Sequence, residues 1–570
     1  MELRPPFAFL RDYATRWDAV ALVIVIGIVA FLGAASRGLL APLPDVGATL
    51  SLAPAHLPEY AARTTLRMFV AMVLSLLFAL GYATWAAKSE RAGRLLIPLL
   101  DIAQSVPILA FISVTVVFFL SLTPGRVLGA EFVAIFAIFT SQAWNMAFSV
   151  YQSMRTVPTE LSEAADSFRL SPWMKFWQLE VPFAAPALIW NMMMSMSGGW
   201  FFVVAAEAIS VGNNTVSLPG IGTYIALAIQ QQNLEAIGWA IVTMLVVILV
   251  YDQLLFRPLV VWVDRFRLDQ EPGGHVPTSW ALTMLRRSRL VGVATGVFRG
   301  LVSRTSRWQP RPGATNTTAP RAAPRSELVW VLIVVALLAF AVWHTAQFLI
   351  GETSIAEALG VAGLAVLTML RVFVLIAIAS LVWVPIGVWV GIRPAVAQVV
   401  QPIAQFLAAF PANLLFPVAV FGIVTFSLHP DIWLSPLMIL GTQWYILFNV
   451  IAGASLMPSE LRHAAQNFHV GGWLWWRRVA LPAVLPYYVT GAITASGGSW
   501  NAAIVAELAN WGDMRLEAHG IGAYIADAAA AGDFHRIVLG VATMSVFVVV
   551  INRLFWRPLY YYAERKFKFG

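Results

Sequence analysis

The chain has 570 residues, 59% of them hydrophobic and only 12% charged, with a mean hydropathy of +0.75; a soluble protein could not hide so much apolar surface, so an integral membrane protein is expected. The formal net charge of +8 sits mainly between apolar runs, which is the placement of membrane loops rather than of a nucleic-acid-binding patch. The absence of cysteine excludes disulfides, thiol catalysis and iron–sulfur ligation.

A helix needs about 20 mostly apolar residues to cross a bilayer. The basic opening MELRPPFAFLRDYATRWD leads into an apolar run too long for a signal-peptide core, so the run 18–41 reads as a first span. Further runs lie near 65–87, 101–121, 127–150, 183–208 and 235–256. From 264 to 327 the composition turns arginine-rich and ends in QPRPGATNTTAPRAAPR, a linker in which Trp280 to Leu301 has the pattern of a basic helix lying on anionic lipid. Six more runs follow near 328–350, 366–391, 401–425, 430–452, 482–508 and 535–558. The expectation is an all-α membrane protein of about twelve transmembrane helices, divided into 1–263, a basic linker 264–327, and 328–570. Arg4, Arg11 and Arg16, then Lys88, Arg91 and Arg94, then Arg155, Arg169 and Lys175, then the linker arginines all fall on one side if every run crosses. That side is the cytoplasm by the distribution of positive charge, so both termini and the linker are expected there.

The second half restates the first. Pro158, Pro186, Trp200 and Glu207 match Pro458, Pro486, Trp500 and Glu507, and GIGTYIA from Gly220 matches GIGAYIA from Gly520. Upstream the register slips slightly: Arg67 pairs with Arg371, Pro107 with Pro411, and Ser141-Gln142 with Thr442-Gln443. The tightest copy is Glu160 to Pro182, ELSEAADSFRLSPWMKFWQLEVP, against Glu460 to Pro482, ELRHAAQNFHVGGWLWWRRVALP. Both are amphipathic, too polar to span, and held between two spans on the positive side, where a soluble partner can dock. Two parallel repeats imply a pseudo-two-fold axis along the membrane normal and a pathway between the halves.

Ionisable residues inside spans are costly unless paired. Glu207 and Glu507, near one end of their spans, read either as gating charges or as partners of Arg67 and Arg371. Gln104, Ser105, Gln142, Trp144, Asn145, Trp200, Gln443, Trp444, Tyr445, Trp500 and Asn501 form a candidate pathway set, with hydrogen bonding between helices as the plainer role. Gly198-Gly199 and Gly497-Gly498 read as close packing between the halves, or as kinks. His463 and His469 belong to no metal-binding pattern and read as solvated or partner-contacting, so no metal is expected.

At this point the residues carry a resemblance. Glu163-Ala164-Ala165 followed at fixed spacing by Leu179, Val181 and Pro182, and His463-Ala464-Ala465 followed by Val479, Leu481 and Pro482, resemble the EAA coupling loop of permease subunits of bacterial ABC importers. Arg169 and His469 stand where that family has glycine, and His463 where it has glutamate; loss of the glycine suggests an ordinary helical residue in place of a sharp turn. SGGWFFVVAAEAI, SGGSWNAAIVAELA and LPGIGTYI look like the nitrate, taurine, sulfonate and bicarbonate branch, here with two permease domains fused. The resemblance implies that Glu160, Glu163, Ala164, Ala165, Arg169 and Pro182, with Glu460, His463, Ala464, Ala465, His469 and Pro482, couple to two ATPase subunits. It further implies ATP and Mg on those partners, a periplasmic or lipid-anchored substrate-binding protein, and location in the bacterial inner membrane. GxxxxGK[ST] does not occur, so the chain is expected to be a transport subunit and not itself an ATPase. A fused ferric-iron or thiamine importer permease is the alternative within importers. An ion-coupled secondary transporter is the alternative outside them, and the mid-membrane charge pairs it would need are largely absent.

Overall fold

The computed structural model of the chain describes residues 50–105, 107–211, 214–263, 266, 280–287, 296, 324–350 and 353–567. The expected span 18–41 and most of the linker lie outside these residues.

Among the described residues, seven helices are long and apolar enough to cross a bilayer: Pro54–Lys88, Val127–Arg155, Pro172–Glu207, Leu234–Val263, Ile355–Gly391, Gly472–Ala506 and Phe534–Phe567. Counting two bent helix pairs as one span each brings the number to nine. Helix Pro324–Leu349 and the pair Glu90–Ser105 and Ile108–Leu122 occupy two more of the expected positions. The fold is therefore all-α in two helical halves, one of the two solutions that a bilayer allows, because a helix satisfies its own backbone polar groups.

Three runs expected to be single spans are broken. The run 101–121 is two helices that meet at Pro107. The run 401–425 is Pro394–Ala409 followed by Ala412–Thr425, bent by 66° at Phe410-Pro411, where Phe410 is extended (ψ 130°) as a residue before proline prefers. The run 430–452 is Pro430–Leu440 followed by Gln443–Ser455, bent by 45°.

Among the described residues, four helices contain a wide π-helical turn, at Phe176–Glu180, Asp252–Phe256, Trp476–Ala480 and Asn552–Trp556. Each is followed at once by a residue and then a proline: Pro182, Pro258, Pro482 and Pro558. Proline lacks the N–H for the i−4 carbonyl and its ring crowds that carbonyl, so the preceding turn widens instead of breaking. Repetition of the four prolines thus becomes repetition of a backbone feature.

The only strands among the described residues are two antiparallel hairpins, Ala208–Val211 with Asn214–Ser217 and Leu508–Trp511 with Met514–Glu517, each following a repeat-matched span. The second turns through Gly512-Asp513, with Gly512 at φ +59°. One hydrophobic cluster runs through both halves, joining Met68, Ile138 and Trp200 to Val372, Ile446 and Trp500.

Candidate functional site

The two amphipathic copies fold alike. Helix Thr159–Ser167 ends in Phe168 and Arg169, and the chain re-enters a helix at Pro172; helix Ser459–Asn467 ends in Phe468 and His469 and re-enters at Gly472. The expected loss of the sharp turn is not what the structure shows. Arg169 has φ +53° and His469 φ +55°, so both keep the left-handed conformation without glycine. The turn is closed by hydrogen bonds from Leu170 N–H to the Ala165 carbonyl (3.1 Å) and from Val470 N–H to the Ala465 carbonyl (2.8 Å), the pairing that ends a helix through a left-handed residue. These bonds offset a strain of about 1–2 kcal/mol.

Ala165 and Ala465 are buried and anchor the turns, and Ala464 is half-buried. Glu160, Glu163, Ala164 and Arg169 are exposed, as are Glu460, His463 and His469. Pro182 and Pro482 lie in the first turn of the following spans. Sequence reading passed over Phe168 and Phe468, which are 80% and 81% exposed at the tip of each turn. An aromatic residue immediately before the turn in both copies was the available signal.

At the other end of the spans the buried charges pair. Arg67 Nη1 donates to Glu207 Oε1 at 2.7 Å, and Arg67 Nε and Nη2 donate to the two Glu131 oxygens at 2.7 Å each. Thr64 Oγ1 donates to Glu207 Oε1 (2.7 Å) and the Gly222 N–H to Glu207 Oε2 (2.8 Å), at the start of helix Ile221–Gln230, where the helix dipole favours a carboxylate. A Cβ on Gly220 would collide with that carboxylate, which explains the first glycine of GIGTYIA. In the second half Arg371 reaches Glu507 (3.2 Å) and Asp431 (2.7 Å), and Thr368 donates to Glu507 (2.7 Å). Glu131 and Asp431 were missed because they lie outside the segments of strongest repeat identity, although they share the 300-residue offset of Glu207 and Glu507. On the hairpin that follows, Arg515 sits between Asp527 and Glu517, which hold its guanidinium above the ordinary range.

Of the candidate pathway residues, the structure brings Tyr445 and Asn501 to the seam. They line a cavity of about 90 Å³ with Ser197, Gly198 and Phe201 of the first half. Asn501 Oδ1 accepts from the Ile108 N–H at 2.6 Å, Asn413 Nδ2 donates to the Phe201 carbonyl at 3.0 Å, and Ser197 donates to the Ala408 carbonyl, three bonds that stitch the halves. A larger cavity of about 490 Å³ opens near the hairpins between Leu109, Val204 and Gln230 on one wall and Asn413, Ile504 and Asn510 on the other. Trp200 also reaches the seam, in a small cavity with Gln405, Phe406 and Phe448 of the second half, and the other candidates have their partners within one half. Gln104, exposed, donates to Asn145 (3.0 Å), and Ser105 is the last residue of its helix. Gln142 Nε2 meets Met68 Sδ, Trp144 packs on Phe78, Trp200 on Tyr251, and Gln443 accepts from Trp383, whose ring neighbours Trp444. Trp500 is fully buried.

The glycine pairs pack mainly within a half, not between halves. A Cβ on Gly199 would press on Gln142 and Met68, and one on Gly498 on Thr442, each within its own half; one on Gly198 would meet Tyr445 across the seam, and Gly198 and Gly498 both line the cavity there. Their helices run on without a break. Among the described residues, no group of three or more His, Cys, Asp or Glu side chains is arranged to hold a metal ion.

A doubled helical unit with an exposed helix–turn–helix between two of its spans defines a multi-pass membrane protein. Comparison with known families places it further: residues 60–265 and 383–567 each match the binding-protein-dependent transport system inner membrane component, and the chain belongs to that family of permeases, with the domain present twice. Among curated proteins it is 28% identical over 176 residues to the bicarbonate transport system permease protein CmpB of Synechococcus elongatus, covering 31% of this chain and 60% of that protein. It is 27% identical over 194 residues to the glycine betaine/carnitine transport permease protein GbuB of Listeria monocytogenes (34% and 63%). To the nitrate import permease protein NrtB of Leptolyngbya laminosa it is 26% identical over 184 residues (32% and 62%). The chain thus spans about three fifths of the length of each.

Proposed function

We propose that this chain is the transmembrane subunit of an ATP-driven importer, moving a small anion or sulfonate-like solute across the inner membrane by alternating access. Halves 1–263 and 328–570 form the two walls of the pathway, the linker 264–327 stays in the cytoplasm with both termini, and ATP and Mg are bound by two separate ATPase subunits. A substrate-binding protein delivers solute at the hairpin end. The observation that carries this reading is the pair of exposed turns, Phe168-Arg169 and Phe468-His469, repeated 300 residues apart with the same left-handed geometry. One turn on each half gives each ATPase subunit one grip. Closure of the ATPase pair on ATP then pulls the two turns together, and the halves move about the seam as rigid bodies.

Reconstitution into liposomes tests it. The chain alone is expected to hydrolyse no ATP and to accumulate no solute; with its ATPase and binding-protein partners it is expected to do both. Uptake by the chain alone, driven by an ion gradient, would refute the proposal.

A further inference from the structure

The two turns have the same backbone and opposite electrostatics. Between 159 and 178 the carboxylates Glu160, Glu163 and Asp166 outnumber the cations Arg169 and Lys175. Between 459 and 478 Glu460 is outnumbered by Arg462, Arg477 and Arg478, with His463 and His469 besides. Glu160, Glu163 and Arg169 are exposed in the first copy, and Arg477, Arg478 and both histidines in the second, so these groups are available to a partner, while Asp166 is engaged by Lys175.

The supports under the turns differ as well. In the first copy Lys175 Nζ binds Asp166 (2.9 Å), Lys88 binds Glu180 (2.9 Å), and Ser171 accepts from the Met174 N–H (3.2 Å) to start the second short helix. Their counterparts in the second copy are Trp475 and Gln466, Ile392 and Ala480, and Gly471, none of which forms an ion pair or cap there. Gly472 instead takes φ +57°, and the turn rests on an apolar cluster of Met457, Ala465, Val479 and Ala483. The first copy is a charged, ion-braced acidic surface. The second is a basic surface on apolar packing, with Trp473 74% exposed.

We infer, on the basis of the function proposed above, that the two ATPase subunits are held unequally. The first turn fits a basic surface of its ATPase subunit and the second an acidic one, so that the two subunits bind and leave at different ionic strengths. Complementary charge across an interface sets partner choice and salt response more than it sets raw affinity. Assembly therefore passes through a complex with one ATPase subunit.

Native mass spectrometry of the purified permease–ATPase complex across a salt series tests this. The wild type is expected to populate a species with a single ATPase subunit between the full complex and the bare chain. Glu160→Gln with Glu163→Gln should move one of the two dissociation steps by about three- to tenfold in subunit concentration and leave the other in place. Arg462→Gln with Arg477→Gln and Arg478→Gln should move only the other step. Replacing 459–478 by the sequence of 159–178 should bring the steps together. Simultaneous loss of both subunits from the wild type, or movement of both steps by either set of substitutions, overturns the inference while leaving the ATP-driven reading intact. Failure to bind any ATPase subunit at low salt overturns both.

Discussion

Replacing Glu207 by glutamine should damage the protein more than the same change at its repeat partner Glu507. The Glu207 side chain is wholly buried, Arg67 is 4% exposed, and their 2.7 Å contact is closed over by Glu131 at 12%. The amide would remove one charge from a site water does not reach and would turn its NH₂ group either toward the Gly222 N–H or toward Arg67, donor against donor. Breaking a buried pair so that a charge is left unpaired costs about 3–5 kcal/mol; Arg67 keeps its two bonds to Glu131, so the lower end, about 3 kcal/mol, is expected. At the second site the Arg371–Glu507 contact is 3.2 Å, Arg371 is 15% exposed, and Asp431 at 26% stays in contact with solvent. Water can take up part of the lost interaction there, so about 1–3 kcal/mol is expected, chiefly the unmet Gly522 N–H. Heat inactivation of the detergent-solubilised chain, followed by tryptophan fluorescence and by loss of monodispersity, should rank wild type above Glu507→Gln above Glu207→Gln. High salt should narrow the gap between wild type and Glu507→Gln and leave the Glu207→Gln deficit unchanged. Equal losses at the two sites, or a larger loss at Glu507, would refute the claim that closure to water sets the difference.

Arg169→Gly should relieve the left-handed strain and slow hydrogen exchange of the Leu170 amide, with a gain of about 1 kcal/mol; His469→Gly should do the same for Val470. Asn501→Leu removes the acceptor of the Ile108 N–H, and leaving that amide without a partner at the seam should cost about 1–3 kcal/mol, read as faster exchange at Ile108 and lower heat stability. Gly220→Ala should sharply reduce folded yield because its Cβ meets the Glu207 carboxylate, whereas Gly81→Ala, where nothing lies within 4 Å of the added carbon, should be neutral or stabilising by up to about 1 kcal/mol in yield and melting measurements.

Much of the architecture was legible because bilayer helices advertise themselves by length and hydropathy, and because the repeat aligned one half against the other. Pairing of Glu207 with Arg67 could be read from the cost of an isolated buried charge. The breaks were not read because an apolar run has the same hydropathy whether its helix is straight or bent; Pro107 and Pro411 carried a signal for two of them, and Gly441-Thr442 has no proline to mark the third. The hairpins went unread although the apolar runs end at 208 and 508, because each is only eight paired residues directly continuing a span, too short to show an alternation of its own. At Arg169 and His469 the sequence rule pointed the wrong way. A missing glycine argues against a left-handed residue only when nothing else fixes the turn, and here the i−5 hydrogen bonds and the buried Ala165 and Ala465 fix it.

Divergence between the halves has a direction. The first half keeps Lys88–Glu180 and Lys175–Asp166 at the turn end and the doubly bonded Arg67–Glu131 pair at the hairpin end. The second half has apolar or neutral residues at the first two places and, at the third, a carboxylate that also accepts from the His519 N–H (2.7 Å) and lies 3.1 Å from its ring Nδ1, on a side chain 76% exposed. Its span opposite Val127–Arg155 is bent where that helix is continuous. Of these pairs only those of Arg67 are buried; Lys88 is 40% and Asp166 65% exposed, so their pairs tie the first half weakly, whereas a buried ion pair tolerates little change in distance before its desolvation cost is left uncompensated. Duplication alone predicts two equal halves at the seam; the placement of these charges gives the first half the more closed ion-pair site, Arg67 with Glu207 and Glu131, and the second the more open one, Arg371 with Glu507 and Asp431.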